Sequence, residues 1–369
     1  MRFLKGSRIF FCIYANYFVP LHPKCANMPR IQDKDRIYSF FRPLVDGLFR
    51  LSYRRYKVVG KESLPKDGAY IYAPNHTNAL CDALAVLGID HQRKVFVARA
   101  DIFHNPKVAW LLNGLKIMPI RRMRDGIDEV RHNDDTIQKA IDTLEQKVPF
   151  CILPEGTHRP KHSLLPLNKG IFRIALQANE QFGQRFPIYI VPVGLEYGDY
   201  FHLWDSLLIQ IGDPINVTQF VVDVKREWAE THDEEMTEPQ IILALREELT
   251  KRMQSLILYV PDDDNYEQNW EQLKNNRPEL FARMDEPILT DKTRIILLIA
   301  LLPLFIVSLI PTAPLWILTL VIKHKIKDPA FHNSVQYLLQ FILIPLSLFM
   351  VYPFWAFVQE YLYQLRKIN

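Results

Sequence analysis

The chain has 369 residues, a net charge of +4 and a sequence pI near 8.7. That length allows one large domain with attachments. The mildly basic balance suits an anionic membrane surface and carries no nucleic-acid signal.

Arg2, Lys5 and Arg8 precede an uncharged, mostly apolar stretch over residues 9–20, signal-like in length and flank. No small-residue cleavage pattern follows it, and Met28 offers an alternative start. Residues 1–27 are read as an artefactual or weakly ordered N-terminal extension in preference to a true signal. From Ile37 to Tyr56 the residues Phe41, Leu44, Val45, Leu48, Phe49 and Tyr53 recur at helical spacing, and Arg50, Arg54, Arg55 and Lys57 cluster at the end. Residues 28–59 are read as an amphipathic, membrane-proximal helix that either lies on the bilayer or packs on the core.

Two short apolar runs follow, residues 69–73 closed by Pro74 and residues 148–153 closed by Pro154. Each reads as a buried strand ending in a loop, where α/β folds place their chemistry. After the first come Asn75, His76 and Asp82, with Asn78 as N-cap of a helix over residues 79–87. At about 100° per residue, six residues on one helix would turn His76 and Asp82 to different sides. A working pair therefore needs His76 in the loop and Asp82 one turn inside the helix. Asp82 then accepts from one imidazole nitrogen, and the other nitrogen takes a proton from a hydroxyl.

After the second run come Glu155, Gly156, Thr157 and His158. Gly156 permits a tight turn whose N–H groups can cradle a phosphate, and His158, Arg159, Lys161 and Lys169 lie close by. Glu155 is an odd neighbour for an anion and is read as structuring the loop through hydrogen bonds. Between the two loops, residues 113–122 form a strand-like run ending in Arg121 and Arg122, side chains suited to phosphate. Cys81 and Cys151 flank the candidate site as small buried hydrophobes. With Cys12 and Cys25 they form no CxxC pair, so neither zinc nor a disulfide framework is expected.

Together these segments resemble the phospholipid/glycerol acyltransferase family over about residues 60–220. Asn75, His76 and Asp82 are similar to its first motif, although five residues separate His76 from Asp82 where the family usually has four. Pro119-Ile120-Arg121-Arg122 resembles the second motif, with Arg121 in place of an acid. Leu153-Pro154-Glu155-Gly156-Thr157-His158 resembles the third, with Leu and His substituted for Phe and Arg. The proline-bearing apolar run 188–194 resembles the fourth, and Lys169-Gly170 stands where the family often has that pair.

The resemblance implies an α/β fold, an acyltransferase-type central sheet flanked by helices. It implies His76 as general base and Asp82 as its orienting partner. Arg121, Arg122, Glu155, Gly156, Thr157, His158 and Lys169 would shape the acceptor site. The donor would be acyl-CoA or acyl-acyl carrier protein, with no cofactor and no metal. The acceptor would be glycerol-3-phosphate or 1-acylglycerol-3-phosphate, or else an amino-acid-containing lysolipid. The competing class is a non-catalytic lipid-binding module, which has no need of both His76 and Asp82. A serine hydrolase is excluded by the lack of a Gly-x-Ser-x-Gly elbow.

Residues 221–290 are polar and helical, with exposed amphipathic helices over 222–236 and 239–260 and a solvated connector at 261–265. They are either a partner surface or a cover for the sheet. Residues 291–369 contain two uncharged runs, 295–322 and 335–358, each long enough to span a bilayer core. They are expected to form a C-terminal hydrophobic membrane helical hairpin without a polar face. The basic loop between them, Lys323 to Asp328, leaves spanning and re-entrant forms open. The expected location is the cytoplasmic (inner) membrane, with the catalytic domain facing the cytoplasm, where the acyl donors are.

Overall fold

Ala69, Ile71 and Ala73 point to one side of their strand, Tyr70 and Tyr72 to the other, and all five are buried. A strand covered on both faces belongs at the centre of a sheet with helices above and below. The computed structural model describes residues 31–33, 35–120, 133–276, 278–285, 291–346 and 352–367. Its elements run α1 (Arg36–Leu51), β1 (Arg55–Val59), β2 (Ala69–Pro74), α2 (Ala79–Leu87), β3 (Val95–Arg99), α3 (Pro106–Gly114), β4 (Ile117–Ile120), α4 (Asn133–Glu145) and β5 (Phe150–Cys151). There follow α5 (Gly170–Phe182), β6 (Ile188–Tyr197), β7 (Ser206–Ile211), β8 (Ile215–Asn216), α6 (Val217–Ala229), α7 (Glu238–Gln254), α8 (Tyr266–Asn275) and α9 (Glu279–Asp285). The tail comprises α10 (Asp291–Lys325), α11 (Ala330–Leu346) and α12 (Tyr352–Arg366). The expected extension, residues 1–27, lies outside the described residues.

The sheet order is β1-β7-β6-β2-β5-β3-β4, with β8 on β6. Strands β6, β2, β5, β3 and β4 are parallel, while β7 and β8 run antiparallel to β6. On one face α4, α5 and α7 pack Ile141, Leu144, Phe172, Ile174, Leu245 and Leu249 against Ile71, Phe150 and Ile190. On the other, α1, α2 and the tail pack Phe49, Val86, Leu315, Tyr337 and Trp355 against Tyr72, Val191 and Leu195.

Two expectations change here, and one left open is decided. The first helix ends at Leu51, not Tyr56, because residues 55–59 pair with β7 as an edge strand. Helical periodicity is local, and sheet pairing overrides it. The polar region 221–290 serves as a cover: Ile241, Ile242, Leu245, Leu249 and Met253 of α7 are buried on the sheet.

The described residues of the second apolar run fall in α11 and α12, and α11 does have a polar stripe. Asn333, Ser334, Gln336 and Gln340 are all buried. Asn333 Nδ2 donates to the Tyr200 carbonyl at 3.0 Å, Ser52 Oγ to Gln340 Oε1 at 3.1 Å, and Lys323 Nζ to Gln336 Oε1 at 2.7 Å. Among the described residues, only the helix from Lys292 to Lys325 is long and apolar enough to cross a membrane.

Helix α1 is bound to the core through Arg42, which is 7% exposed. Its guanidinium pairs with Asp46 at 2.8 Å and donates to the carbonyls of Leu87, Asp90 and Gln92, closing the C-terminal end of α2. Phe40 and Phe41 stay exposed on the opposite side. Arg42→Met strands those carbonyls and the Asp46 carboxylate. We expect a loss of about 3 kcal/mol, read as a lowered melting temperature in detergent; an unchanged transition would show that these bonds contribute nothing.

Candidate active site

The site forms where β2 ends. Asn75 continues the ladder with its side chain, since Leu195 N–H donates to Asn75 Oδ1 at 2.7 Å and Asn75 Nδ2 donates to the Leu195 carbonyl at 3.0 Å. This fixes the loop to β6 just before His76. The chain then turns into α2 through Ala79, a non-glycine residue at φ 44°. Asn78 occupies the N-cap position, but its side chain does not cap the helix. Its Nδ2 donates to the Tyr200 carbonyl at 3.2 Å.

Asp82 does the capping instead. Its Oδ2 receives the N–H groups of Thr77 and Asn78 at 2.8 and 2.7 Å and lies 2.8 Å from His76 Nδ1. Its Oδ1 receives the Tyr197 hydroxyl at 2.8 Å. The carboxylate is fully buried, while the His76 side chain is 15% exposed. Asp82 is an acceptor in each of these contacts, so His76 Nδ1 carries the proton and Nε2 holds the lone pair. Nε2 makes no hydrogen bond among the described residues. Tyr197, at the end of β6, was not foreseen. Its only sequence signal is its place at the end of the proline-bearing strand.

The second loop holds His76 from the other side. Glu155 Oε1 accepts His76 N–H at 2.7 Å and Oε2 accepts Leu165 N–H at 2.8 Å, while Arg159 N–H donates to the His76 carbonyl at 3.1 Å. Glu155 is thus committed to backbone. Burial pushes its carboxyl up to about 7, the two N–H donors pull it down and the nearby Asp82 pushes it further up. Gly156 has φ 68°, and a Cβ there would lie 2.6 Å from Asn168 Nδ2, which ties the loop through the Pro154 and Glu155 carbonyls. Gly156 N–H donates to Leu153, whereas the N–H groups of Thr157 and His158 have no internal acceptor among the described residues.

The expected basic residues divide. Arg159 and Lys161 are both paired with Asp262, so the connector at 261–265 takes up their charge. Lys169 is exposed at the start of α5 and makes no ion pair among the described residues. Arg121 and Arg122 lie outside the described residues, just beyond β4. His158 stands beside His76, ring centroids 5.4 Å apart and edge-on. Cys81 and Cys151 are buried and free, with burial pushing both thiols up, Cys81 to about 12.

Residues 55–196 match the family model described as Acyltransferase. Over 140 residues the chain is 29% identical to the chloroplastic 1-acyl-sn-glycerol-3-phosphate acyltransferase BAT2 of Brassica napus, covering 38% of this chain and 35% of that one. It is 25% identical over 204 residues to 1-acyl-sn-glycerol-3-phosphate acyltransferase alpha of Homo sapiens, covering 54% and 64%. Among solved structures, the 1-acyl-sn-glycerophosphate acyltransferase PlsC of Thermotoga maritima aligns with a TM-score of 0.40 and 18% identity, covering 68% of this chain and 88% of that one. Residues 55–196 are thus similar to an acyltransferase domain, as in these 1-acyl-sn-glycerol-3-phosphate acyltransferases. The chain spans between about one third and two thirds of the length of these two curated relatives.

Glu155 gives a pH test. Its carboxyl titrates near 7 when folded, against an ordinary 4.5. The folded chain therefore holds an extra proton between those values, and ionisation opposes folding as pH rises through them. Glu155→Gln should remove this dependence. Relative to the variant, wild type should lose roughly 2–3 kcal/mol of stability from pH 4.5 to 7. Parallel stability curves in chemical denaturation would refute it.

Proposed function

We propose that this chain is a membrane-bound acyltransferase of glycerolipid synthesis. It moves a fatty acyl group from acyl-CoA or acyl-acyl carrier protein to the free hydroxyl of 1-acylglycerol-3-phosphate. The observation that carries this reading is the His76–Asp82 contact, which leaves a basic nitrogen facing outward from a loop held on both sides. The activity for which these relatives are named favours 1-acylglycerol-3-phosphate over glycerol-3-phosphate as acceptor.

His76 Nε2 removes the proton of the acceptor hydroxyl as its oxygen attacks the thioester carbonyl. The carbonyl π electrons move to oxygen, giving a tetrahedral oxyanion, which the N–H groups of Thr157 and His158 are free to receive. The oxyanion collapses, the C–S bond breaks, and the thiolate takes the proton back from His76. Asp82 stabilises the imidazolium in between. Glu155 holds the His76 backbone and does not touch the reacting atoms. The acceptor's phosphate is assigned to Arg121 and Arg122, with Lys169 as a further cation.

Helix α10 supports the membrane reading. Ile296, Ile299, Ile306, Val307, Ile310, Ile317 and Leu320 are exposed along it, and charged residues stand at both ends. The water-soluble donor would then meet a lipid acceptor at the bilayer surface, on the cytoplasmic side.

The test uses detergent-purified protein, a labelled acyl thioester, and parallel reactions with 1-acylglycerol-3-phosphate and glycerol-3-phosphate. Turnover should appear with the first acceptor and fall by about a thousandfold or more in His76→Ala, given the usual contribution of a positioned base. Full activity in the variant would remove His76 from the mechanism. Turnover only with glycerol-3-phosphate would reassign the acceptor.

A further inference from the structure

The connector between α10 and α11 comes from the far end of the chain and reaches the candidate site. Asp328 Oδ2 lies 2.9 Å from His158 Nε2, and the Phe331 ring meets the His158 ring edge-on at 5.1 Å. His158 therefore sits between Phe331 and His76. Its side chain is 18% exposed.

The connector is held in place by contacts of its own. Phe331 N–H donates to the Asp328 carbonyl at 3.2 Å, which forms the turn into α11. Two residues on, the fully buried Asn333 donates to the Tyr200 carbonyl, the same oxygen that receives Asn78 Nδ2. The buried Ser334 lies beside Cys81, next to Asp82 in α2. The start of α11 is thus seated on the turn that carries the His76–Asp82 pair.

We propose that Asp328 and Phe331 are positioning residues that fix the His158 ring as one wall of the acceptor pocket. The acceptor is then bound fully only when the apolar helices are seated on the acyltransferase core. A ring held by one carboxylate and one aromatic edge keeps a single orientation, so its contact with a ligand costs no further ordering. Asp328 accepts a hydrogen bond from His158 Nε2–H, as Asp82 accepts one from His76 Nδ1–H, so each imidazole has its own orienting carboxylate. The two carboxylates come from opposite ends of the chain. This assignment rests on the acyl-transfer reading of the site.

Asp328 is half exposed, so Asp328→Asn should leave folding and melting temperature unchanged. We expect the variant to raise the KM for 1-acylglycerol-3-phosphate about tenfold, with kcat changed less than threefold and the acyl-CoA KM unchanged. These values correspond to loss of one charge-assisted contact. Asp328→Glu should restore part of the affinity, and Phe331→Ala should act in the same direction. In a His158→Ala background, Asp328→Asn should add nothing. A full Asp328→Asn effect in that background, an unchanged acceptor KM, or a change falling on the donor KM would each overturn the proposal.

The Kd for 1-acylglycerol-3-phosphate, measured by calorimetry on the same proteins, separates the two readings. Wild type that binds this lipid without turnover contradicts the catalytic reading, and the Asp328→Asn effect on Kd still decides the role of the connector. Wild type that does not bind it overturns both.

Discussion

A buried carboxylate must be surrounded by donors, and Asp82 has them from two parts of the chain. The loop after β2 supplies two backbone N–H groups and the His76 ring, and β6 supplies the Tyr197 hydroxyl. An unpaired charge at full burial would be too costly to keep. The path of the loop, the start of α2 and the tautomer of His76 all follow from meeting that demand. Asp82 is both the helix cap and the partner of the candidate base. A change that disturbs one role disturbs the other.

The rest of the site holds this arrangement in place. Asn75 borrows the ladder bonds of β6, and Glu155 clamps the backbone of His76 to the second loop. That loop is tied on one side to the connector before α8 through Asp262, and on the other to the connector before α11 through Asp328. Two charges expected to face an anion, on Arg159 and Lys161, instead hold the loop. The apolar C-terminal tail is likewise part of the core, because Tyr337, Leu315 and Trp355 fill the same apolar layer as Phe49 and Val86.

Much of the centre was legible because it is local. Short apolar runs closed by proline marked β2 and the strand before Glu155, and the His76–Asp82 spacing required the loop-then-helix arrangement that the fold adopts. The misreadings arose where a distant segment decides. Residues 55–59 continue a helical pattern, yet an edge strand claims them. The pairing of Arg159 and Lys161 with Asp262 depends on a connector about a hundred residues away. Gln336 and Gln340 lie at helical spacing, one turn and two turns on from Asn333, within a run whose overall apolarity masked them. Tyr197 had no local pattern that could reveal its partner.

The account depends on which imidazole nitrogen carries the proton. Nitrogen-15 chemical shifts of His76, assigned by comparison with a His76→Gln sample, report this directly in the wild-type protein. Protonated Nδ1 and unprotonated Nε2 at neutral pH is the result the account predicts. A proton on Nε2 with Nδ1 bare would contradict it. Asp82 could not then accept from the ring, and His76 could not take the proton of an incoming hydroxyl.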